Sequence, residues 1–291
     1  MSRNEAREYP KSVCLETYSL CNGSCAFCPY RHAGPIPPVQ MKQELVFQLI
    51  DEIAQLPVER FSLFNNNEPL LDPRMLDFIQ YAREKMPMTR LTLSSNGKFV
   101  SSAQIEAAIS AGIDRFFISI PTLDPTAYEE VMGGDVNIVI NTVLGISPNL
   151  RGNLRIAVPK TRFYSETDFE RLFGNIGIRV IVWEMEAIQS WPELDRIRKI
   201  SDLSFDLGCD RPLDQAIISA NGDVLICCRD WYHENCVGNI MHSSLAEIWQ
   251  GAKMRELQQM VASKQFYRIT MCRKCSRAVS CFFQQGESEV L

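Results

Sequence analysis

Between residues 12 and about 185 the sequence alternates short apolar runs with amphipathic stretches, and that rhythm restricts the fold more than any other feature. Strand patterns fall at 13–19, 60–64, 90–94, 115–120, 153–158 and 179–183. Helical patterns lie between them, at 41–55, 72–85, 101–111, 137–145 and 165–173. In the first of these, Leu45, Leu49, Ile50 and Ile53 share one helical face. Asp72-Pro73 and Asp124-Pro125 read as N-caps followed by Pro at the first helical position. Such alternation calls for a parallel sheet with right-handed crossovers. Six strand–helix units in about 175 residues fit an α/β fold built as a partial (β/α)6 barrel, since a closed eightfold barrel usually takes about 250.

After Pro192 the texture changes. Two β-rich runs, 217–219 and 224–226, flank Ala220-Asn221-Gly222-Asp223, a strong hairpin signal. A helical segment over 244–262 and a cysteine-rich tail follow. The expected organisation is a core domain over 1–200 and a small C-terminal α+β domain (hairpin plus helix) over 201–291. The boundary is placed near residue 200. A length of 291 residues agrees with one large and one small domain at roughly 150 residues per domain.

Lys plus Arg number 30 and Asp plus Glu 35, so the net charge of -5 gives no ground for a broad nucleic-acid-binding face. Residues 1–11 are polar, and no apolar run approaches the ~20 residues of a membrane span. The reading is a cytoplasmic protein with no membrane or nucleic-acid partner. Of the 11 cysteines, four lie in the first 28 residues and seven after residue 208. An odd count without a secretion signal argues against a disulfide framework. Segregation to the two ends argues instead for two thiolate sites.

The first is Cys21-Asn-Gly-Ser-Cys25-Ala-Phe-Cys28, directly after the first strand pattern. Ligands bind at the carboxyl ends of strands in such sheets. Three thiolates on a loop freed by Gly23 can hold three irons of a [4Fe–4S] cube and leave the fourth open, as a catalytic metal position requires. Three of four zinc ligands is the competing reading. The segment resembles the radical S-adenosylmethionine superfamily, whose motif is C-x3-C-x-aromatic-C, with Phe27 at the aromatic position. In that family the open iron chelates the amino and carboxylate groups of S-adenosylmethionine. A reduced cluster then cleaves it to a 5′-deoxyadenosyl radical, which takes a substrate hydrogen.

Other family elements follow in order. Asn65-Asn66-Asn67-Glu68-Pro69 resembles the Gly-Gly-Glu-Pro segment that binds the methionyl amine, with Asn66 and Asn67 replacing the glycines. Ser94-Ser95-Asn96-Gly97 resembles the Thr-Asn-Gly turn, and Ser119-Ile120-Pro121 stands where relatives carry Ser-Ile-Asp. The resemblance therefore implies S-adenosylmethionine contacts at Phe27, Asn66, Asn67, Glu68, Pro69, Ser94, Ser95, Asn96 and Ser119. Arg155 is the candidate partner for the methionyl carboxylate or for substrate, with Lys160 as a second; solvated cations are the plainer reading of both.

At the C-terminal end, Cys209 and Cys227 bracket Gly222 with a spacing of C-x12-G-x4-C, and Cys272-x2-Cys275 and Cys281 follow. Four thiolates saturate a zinc ion or a [4Fe–4S] cluster equally well. The run resembles the SPASM and twitch extensions of radical S-adenosylmethionine enzymes. A full SPASM domain carries seven cysteines and two clusters, but the position x3 beyond Cys281 is Gln285. The shorter twitch form implies one auxiliary cluster on Cys209, Cys227, Cys272 and Cys275. Cys14 reads as a buried small hydrophobe. Cys228, Cys236 and Cys281 remain, and Cys281 is the candidate hydrogen-atom donor or a competing ligand. Trp183, Glu184 and Glu186 close the sixth strand and are candidate substrate contacts, with Glu184 the candidate base. His32 follows the first thiolate loop, His233 and His242 sit near turns, and Trp249 with Met254 reads as core.

The resemblance thus implies S-adenosylmethionine and two [4Fe–4S] clusters as cofactors, and an external electron donor such as flavodoxin or ferredoxin. About 200 residues of barrel and 90 of tail leave no module for a peptide leader, which favours a small polar substrate of sugar, cyclitol or aminoglycoside type. The expected outcome is oxidation or epimerisation. The alternatives are modification of a ribosomal peptide and a zinc-binding interaction protein.

Overall fold

The computed structural model describes residues 7–28, 30, 37–183, 209–273 and 275. Six parallel strands form the core: β1 (Ser12–Leu15), β2 (Arg60–Ser62), β3 (Arg90–Ser95), β4 (Arg115–Ser119), β5 (Leu154–Pro159) and β6 (Arg179–Trp183). Helices α1 (Gln43–Ala54), α2 (Met75–Lys85), α3 (Ser102–Ala111), α4 (Pro125–Met132), α5 (Val136–Leu144) and α6 (Glu166–Leu172) fill the crossovers. In α1 the buried face is Val46, Leu49, Ile50 and Ile53, the stripe that the 3.6-residue period requires. On strands β2–β5, Phe61, Leu91, Leu93, Phe116, Ile118, Leu154 and Ile156 are fully buried under the helices. The result is the expected partial barrel.

Two local expectations resolve differently. At Asp124 the side chain accepts Ala127 N–H and Pro125 opens α4, as the pattern requires. At Asp72-Pro73 the helix starts later, at Met75. Asp72 instead ends a 3₁₀ turn (Pro69–Leu71) and turns inward onto Arg74. The carboxylate accepts the Arg74 N–H at 3.1 Å as well as its guanidinium, so its bonds close on Arg74 ahead of the helix rather than on the first turn of α2.

The C-terminal hairpin does not form a sheet of its own. β7 (Gln215–Ile218) lies parallel beside β1, and β8 (Asp223–Leu225) and β9 (Cys236–Asn239) extend the same sheet antiparallel. Gly222, at φ +88°, makes the β7–β8 turn. Trp249 and Met254 are buried, as read from the sequence. The domain boundary near residue 200, and with it His32, Glu184, Glu186 and Cys281, lies outside the described residues. No helix among the described residues is long and apolar enough to cross a membrane.

Candidate active site

The first three thiols ride on the loop leaving β1, and that loop is clipped to its surroundings. Cys21 N–H donates to Tyr30 Oη at 3.3 Å, and Ala26 N–H donates to the Val131 carbonyl at the end of α4 at 2.8 Å. Gly23 N–H donates to Cys21 Sγ at 3.3 Å. A Cβ placed on Gly23 would stand 3.3 Å from Cys21 Sγ and 3.5 Å from Cys25 Sγ, so the two sulfurs flank one glycine. Burial pushes the Cys25 thiol up to about 11, with Cys21 adding to it. Burial and then Cys25 push Cys28 up to about 12. Crowded thiols that resist ionising need a cation among them to persist as thiolates. Among the described residues no three His, Cys, Asp or Glu side chains converge closely enough to hold a single metal ion. A cube whose ligands bind separate irons asks only that the three be neighbours, and these residues fit it.

Beside this loop stands a self-satisfied polar wall. Asn96 Nδ2 donates to Asn22 Oδ1 at 2.8 Å, linking the third strand's turn to the thiol loop. Asn96 N–H donates to Glu68 Oε2 at 2.8 Å, and Leu70 N–H donates to Glu68 Oε1 at 3.4 Å. Glu68 is 2% exposed and burial raises its carboxyl above the usual range. Its carboxylate therefore braces two turns from inside the wall. Asn67 Nδ2 donates to the Tyr18 carbonyl at 2.8 Å, and Asn66 N–H donates to Glu16 Oε2 at 3.0 Å. Pro69 is buried at the start of the 3₁₀ turn. Ser95 Oγ accepts Gly97 N–H at 3.0 Å. Gly97 sits at φ +73°, where a Cβ would come within 2.8 Å of Val139 Cγ1.

Below the loop lies a cavity of about 450 Å³ inside the barrel. Phe27, Cys28 and Asn66 line its mouth together with Ser94 and Ser119. Ser62 and Thr92, whose hydroxyls are 2.8 Å apart, line its middle with Cys14 and Cys228. Arg60, Arg90 and Arg115 line its floor. Arg155 departs from its expected place. It is the second residue of β5, paired with Arg179 and two positions before Ala157, the partner of Ser119. It sits at the amino end of β5, outside the cavity lining. Cys14, expected as inert packing, is buried yet faces the cavity and accepts Gln215 Nε2–H at 3.1 Å. Arg229 escaped the sequence reading. Its guanidinium lies 5.3 Å from the Trp183 ring centroid, and its charge acts on Cys28. It reaches the first site from the C-terminal segment, a juxtaposition no local motif announces.

At the second site, burial and then the nearby Cys209 and Cys275 raise the Cys272 thiol far above its usual value. Cys275 N–H donates to the Cys272 carbonyl at 3.0 Å, closing the C-x2-C turn. Cys227, 5% exposed, is raised first by its hydrogen bond with Cys228 and then by burial, with Arg229 N–H bonded to its sulfur at 3.4 Å. The structure thus gathers Cys209, Cys272 and Cys275. Cys227 packs in the same apolar core. Cys14 forms a separate apolar cluster with Ile217 and Leu225, against which Cys228 and Cys236 pack.

Comparison with known proteins agrees with this geometry. A radical SAM superfamily model matches residues 15–144, and the SPASM iron–sulfur cluster-binding domain matches residues 209–276. Together they take up well over half the chain. A GTP 3′,8-cyclase of Limosilactobacillus fermentum is 30% identical over 126 residues, which cover 42% of this chain and 37% of that protein. An S-adenosyl-L-methionine-dependent 2-deoxy-scyllo-inosamine dehydrogenase of Niallia circulans is 21% identical over 267 residues, 90% of this chain and 91% of that one. The crystal structure of BtrN with AdoMet and 2-DOIA superposes with a TM-score of 0.65 at 18% identity, covering 94% of each chain. The chain is a member of the radical S-adenosylmethionine superfamily, with S-adenosylmethionine and a [4Fe–4S] cluster as cofactors and a SPASM domain for auxiliary iron–sulfur binding.

Proposed function

We propose that the protein abstracts a hydrogen atom from a small hydroxylated substrate held inside the barrel, leading to its oxidation or epimerisation. The observation that carries this reading is the cavity directly beneath the Cys21–Cys25–Cys28 loop. Its upper and middle walls present the hydroxyls of Ser62, Thr92, Ser94 and Ser119, groups that both donate and accept. Bound, S-adenosylmethionine and the clusters supply the radical that takes the hydrogen and a sink for the second electron of an oxidation. Everything else falls to the chain. Phe27 and Phe117 give the cavity apolar wall. Arg229, over the Trp183 ring and near enough for its charge to act on Cys28, is the cation assigned to the methionyl carboxylate, the role that the sequence suggested for Arg155.

Cys209, Cys227, Cys272 and Cys275 are the proposed ligands of one auxiliary cluster, reduced in turn by an external donor. The epimerase outcome has its own support. Cys14 and Cys228 both line the cavity and are thiols able to return a hydrogen atom to a carbon radical. That role was read onto Cys281, which lies outside the described residues.

Anaerobic protein should hold roughly eight irons and eight sulfides, as two [4Fe–4S] clusters require. Cys25→Ser should lose about half the iron and all 5′-deoxyadenosine formation. With a deuterated polyol substrate, label should appear in 5′-deoxyadenosine, and solvent hydrogen in the product separates epimerisation from oxidation. Two zincs without sulfide would end the reading.

A further inference from the structure

Each of the strands β2 to β6 carries an arginine at or next to its amino end: Arg60, Arg90, Arg115, Arg155 and Arg179. All five share the parity of residues that line the cavity higher up, such as Ser62, Thr92, Phe117, Ala157 and Ile181, and so face inward. Along the ladder the register steps by two between β3 and β4, where Thr92 faces Arg115, and again between β4 and β5, where Phe117 faces Arg155. Tilted barrel strands stagger in this way, and the stagger keeps the cations level at one end of the sheet, where Arg60, Arg90 and Arg115 line the cavity. Arg115 and Arg179 both act on Arg155, whose guanidinium is held below its usual value first by burial and then by these two charges.

What the cluster lacks is as informative. Arg7, Arg74, Arg83, Arg162 and Arg171 each pair with a carboxylate. Among the described residues, none of the five strand arginines does. Arg60 donates to Ser12 Oγ at 3.3 Å, and Arg155 donates to the carbonyls of Gly152 and Leu154. No Asp or Glu lines the cavity among the described residues.

We infer that this floor binds a multiply charged anionic group of the substrate, a phosphate ester or pyrophosphate, so that the protein acts on a phosphorylated polyol. The inference rests on the radical reading above and narrows it. Arg60, Arg90 and Arg179 are exposed and Arg115 and Arg155 partly buried. Like charges gathered at one end of a cavity repel, and a single carboxylate would leave most of that repulsion in place. A phosphate ester brings a charge of about -1.5 to -2 at neutral pH and three acceptor oxygens. Arginine forks match those oxygens two at a time. From Arg90 to Ser94 is four strand residues, roughly 13 Å. A sugar-sized phosphate anchored on the floor would therefore present its far carbons under the thiol loop. The same field repels an ammonium, which sets an aminoglycoside apart from the phosphorylated sugars and cyclitols.

Equilibrium dialysis of radiolabelled pyrophosphate against anaerobic protein carrying its clusters tests this without turnover. The wild type should retain it, and the Arg90→Gln/Arg115→Gln double variant should retain it about tenfold more weakly or worse, with iron content and melting temperature kept. Glucose 6-phosphate should compete and glucose should not. Equal retention by both proteins, or equal competition by glucose, overturns the inference. If succinate displaces pyrophosphate better than glucose 6-phosphate does, the floor is a dicarboxylate site and the phosphate assignment falls. Substrate-free formation of 5′-deoxyadenosine from S-adenosylmethionine reports on the radical reading by itself. Its presence without anion retention therefore rejects the floor alone, and anion retention without it rejects only the radical reading.

Discussion

At the carboxyl-end corner of the barrel Arg74 is clamped; at the amino ends Arg60, Arg90 and Arg115 stand beside a cavity. Arg74 Nε donates to Asp72 Oδ1 and Nη2 to Oδ2, both at 2.8 Å. Thr17 Oγ1 and the Arg74 N–H also donate to the carboxylate, at 2.8 and 3.1 Å, and Arg74 Nη1 donates to the Met41 carbonyl at 2.9 Å. One ion pair thereby ties the exit of β1, the entry of α1 and the start of α2. The floor arginines have no carboxylate among the described residues to do the same. The upper end is thus built to be finished before any ligand arrives, with Glu68, Asn67, Asn96 and Asn22 all bonded to the chain itself. The lower end is finished only by something brought from outside. Rigid placement suits a cofactor whose reactive carbon must be aimed; unspent charge suits a site that selects its ligand.

The largest effect should come from breaking the upper pair. Asp72→Asn preserves shape but leaves a part-buried guanidinium without its counter-charge, at a cost of about 3 kcal/mol. It should be read from denaturant unfolding of the cluster-free protein. Burial alone would raise the Asp72 carboxyl, but the bonds from Arg74 and Thr17 outweigh it and hold it below the usual range. A depressed folded pKa means that the pair contributes fully above the unfolded value of about 3.9 and is lost as pH falls through the folded value. Wild type and Asp72→Asn should therefore differ most at neutral pH and converge in acid below about pH 4. A difference that stays constant down to pH 2 would show that packing rather than charge is at work.

How far the sequence reveals this contrast depends on the range of each signal. The thiol loop, the Asn65–Pro69 segment and the Ser94–Gly97 turn are local, so a few adjacent residues announce them. The alternation of strands and helices is local too, and all six core strands appear where it places them. Asp72 was misread as an N-cap because its partner choice depends on tertiary packing around Arg74 and Thr17. Arg155 was drawn toward the cofactor because strand position alone does not say which end of the barrel a side chain serves. The pattern is visible as an Arg at or next to the start of five strands, in Arg60-Phe-Ser, Arg90-Leu-Thr, Arg115-Phe-Phe, Arg155-Ile-Ala and Arg179-Val-Ile. It carries meaning only once register shows that the five face one space. Arg229 and Cys14 join the site across more than 200 residues, by the pairing of β1 with β7.

A smaller effect is expected at the wall itself. Asn96→Ala removes the 2.8 Å bond to Asn22 and the acceptor for Lys98 N–H at 2.9 Å. Each such bond is worth about 1 kcal/mol. The thiol loop keeps its cysteines, so iron content should hold. S-adenosylmethionine binding to the anaerobic protein should weaken by about tenfold as the loop loses its brace. Unchanged affinity would mean that the upper end owes its rigidity to the α4 contacts at Val131 and Met132 instead.

The smallest effect is the most diagnostic for the floor. An arginine that supports the fold leaves a deficit when removed; one that only crowds other cations does not. Arg90→Gln keeps the aliphatic stem and hydrogen-bonding capacity while deleting one charge from the floor. Substitutions at positions without a structural partner stay within about 0.5 kcal/mol, so the melting temperature should hold to within about 2 °C, with any shift upward. Arg74→Gln, the same chemical change at the other end, should lower it by several degrees, because it strands the buried Asp72 carboxylate. Raising the salt concentration should shrink any gain from Arg90→Gln, since screening relieves the same repulsion that the substitution removes. A drop at Arg90 equal to that at Arg74 would mean that the floor guanidinium already has a partner in the folded chain. The two ends of the barrel would then be built alike, and the charge below the cavity would not be available to a ligand.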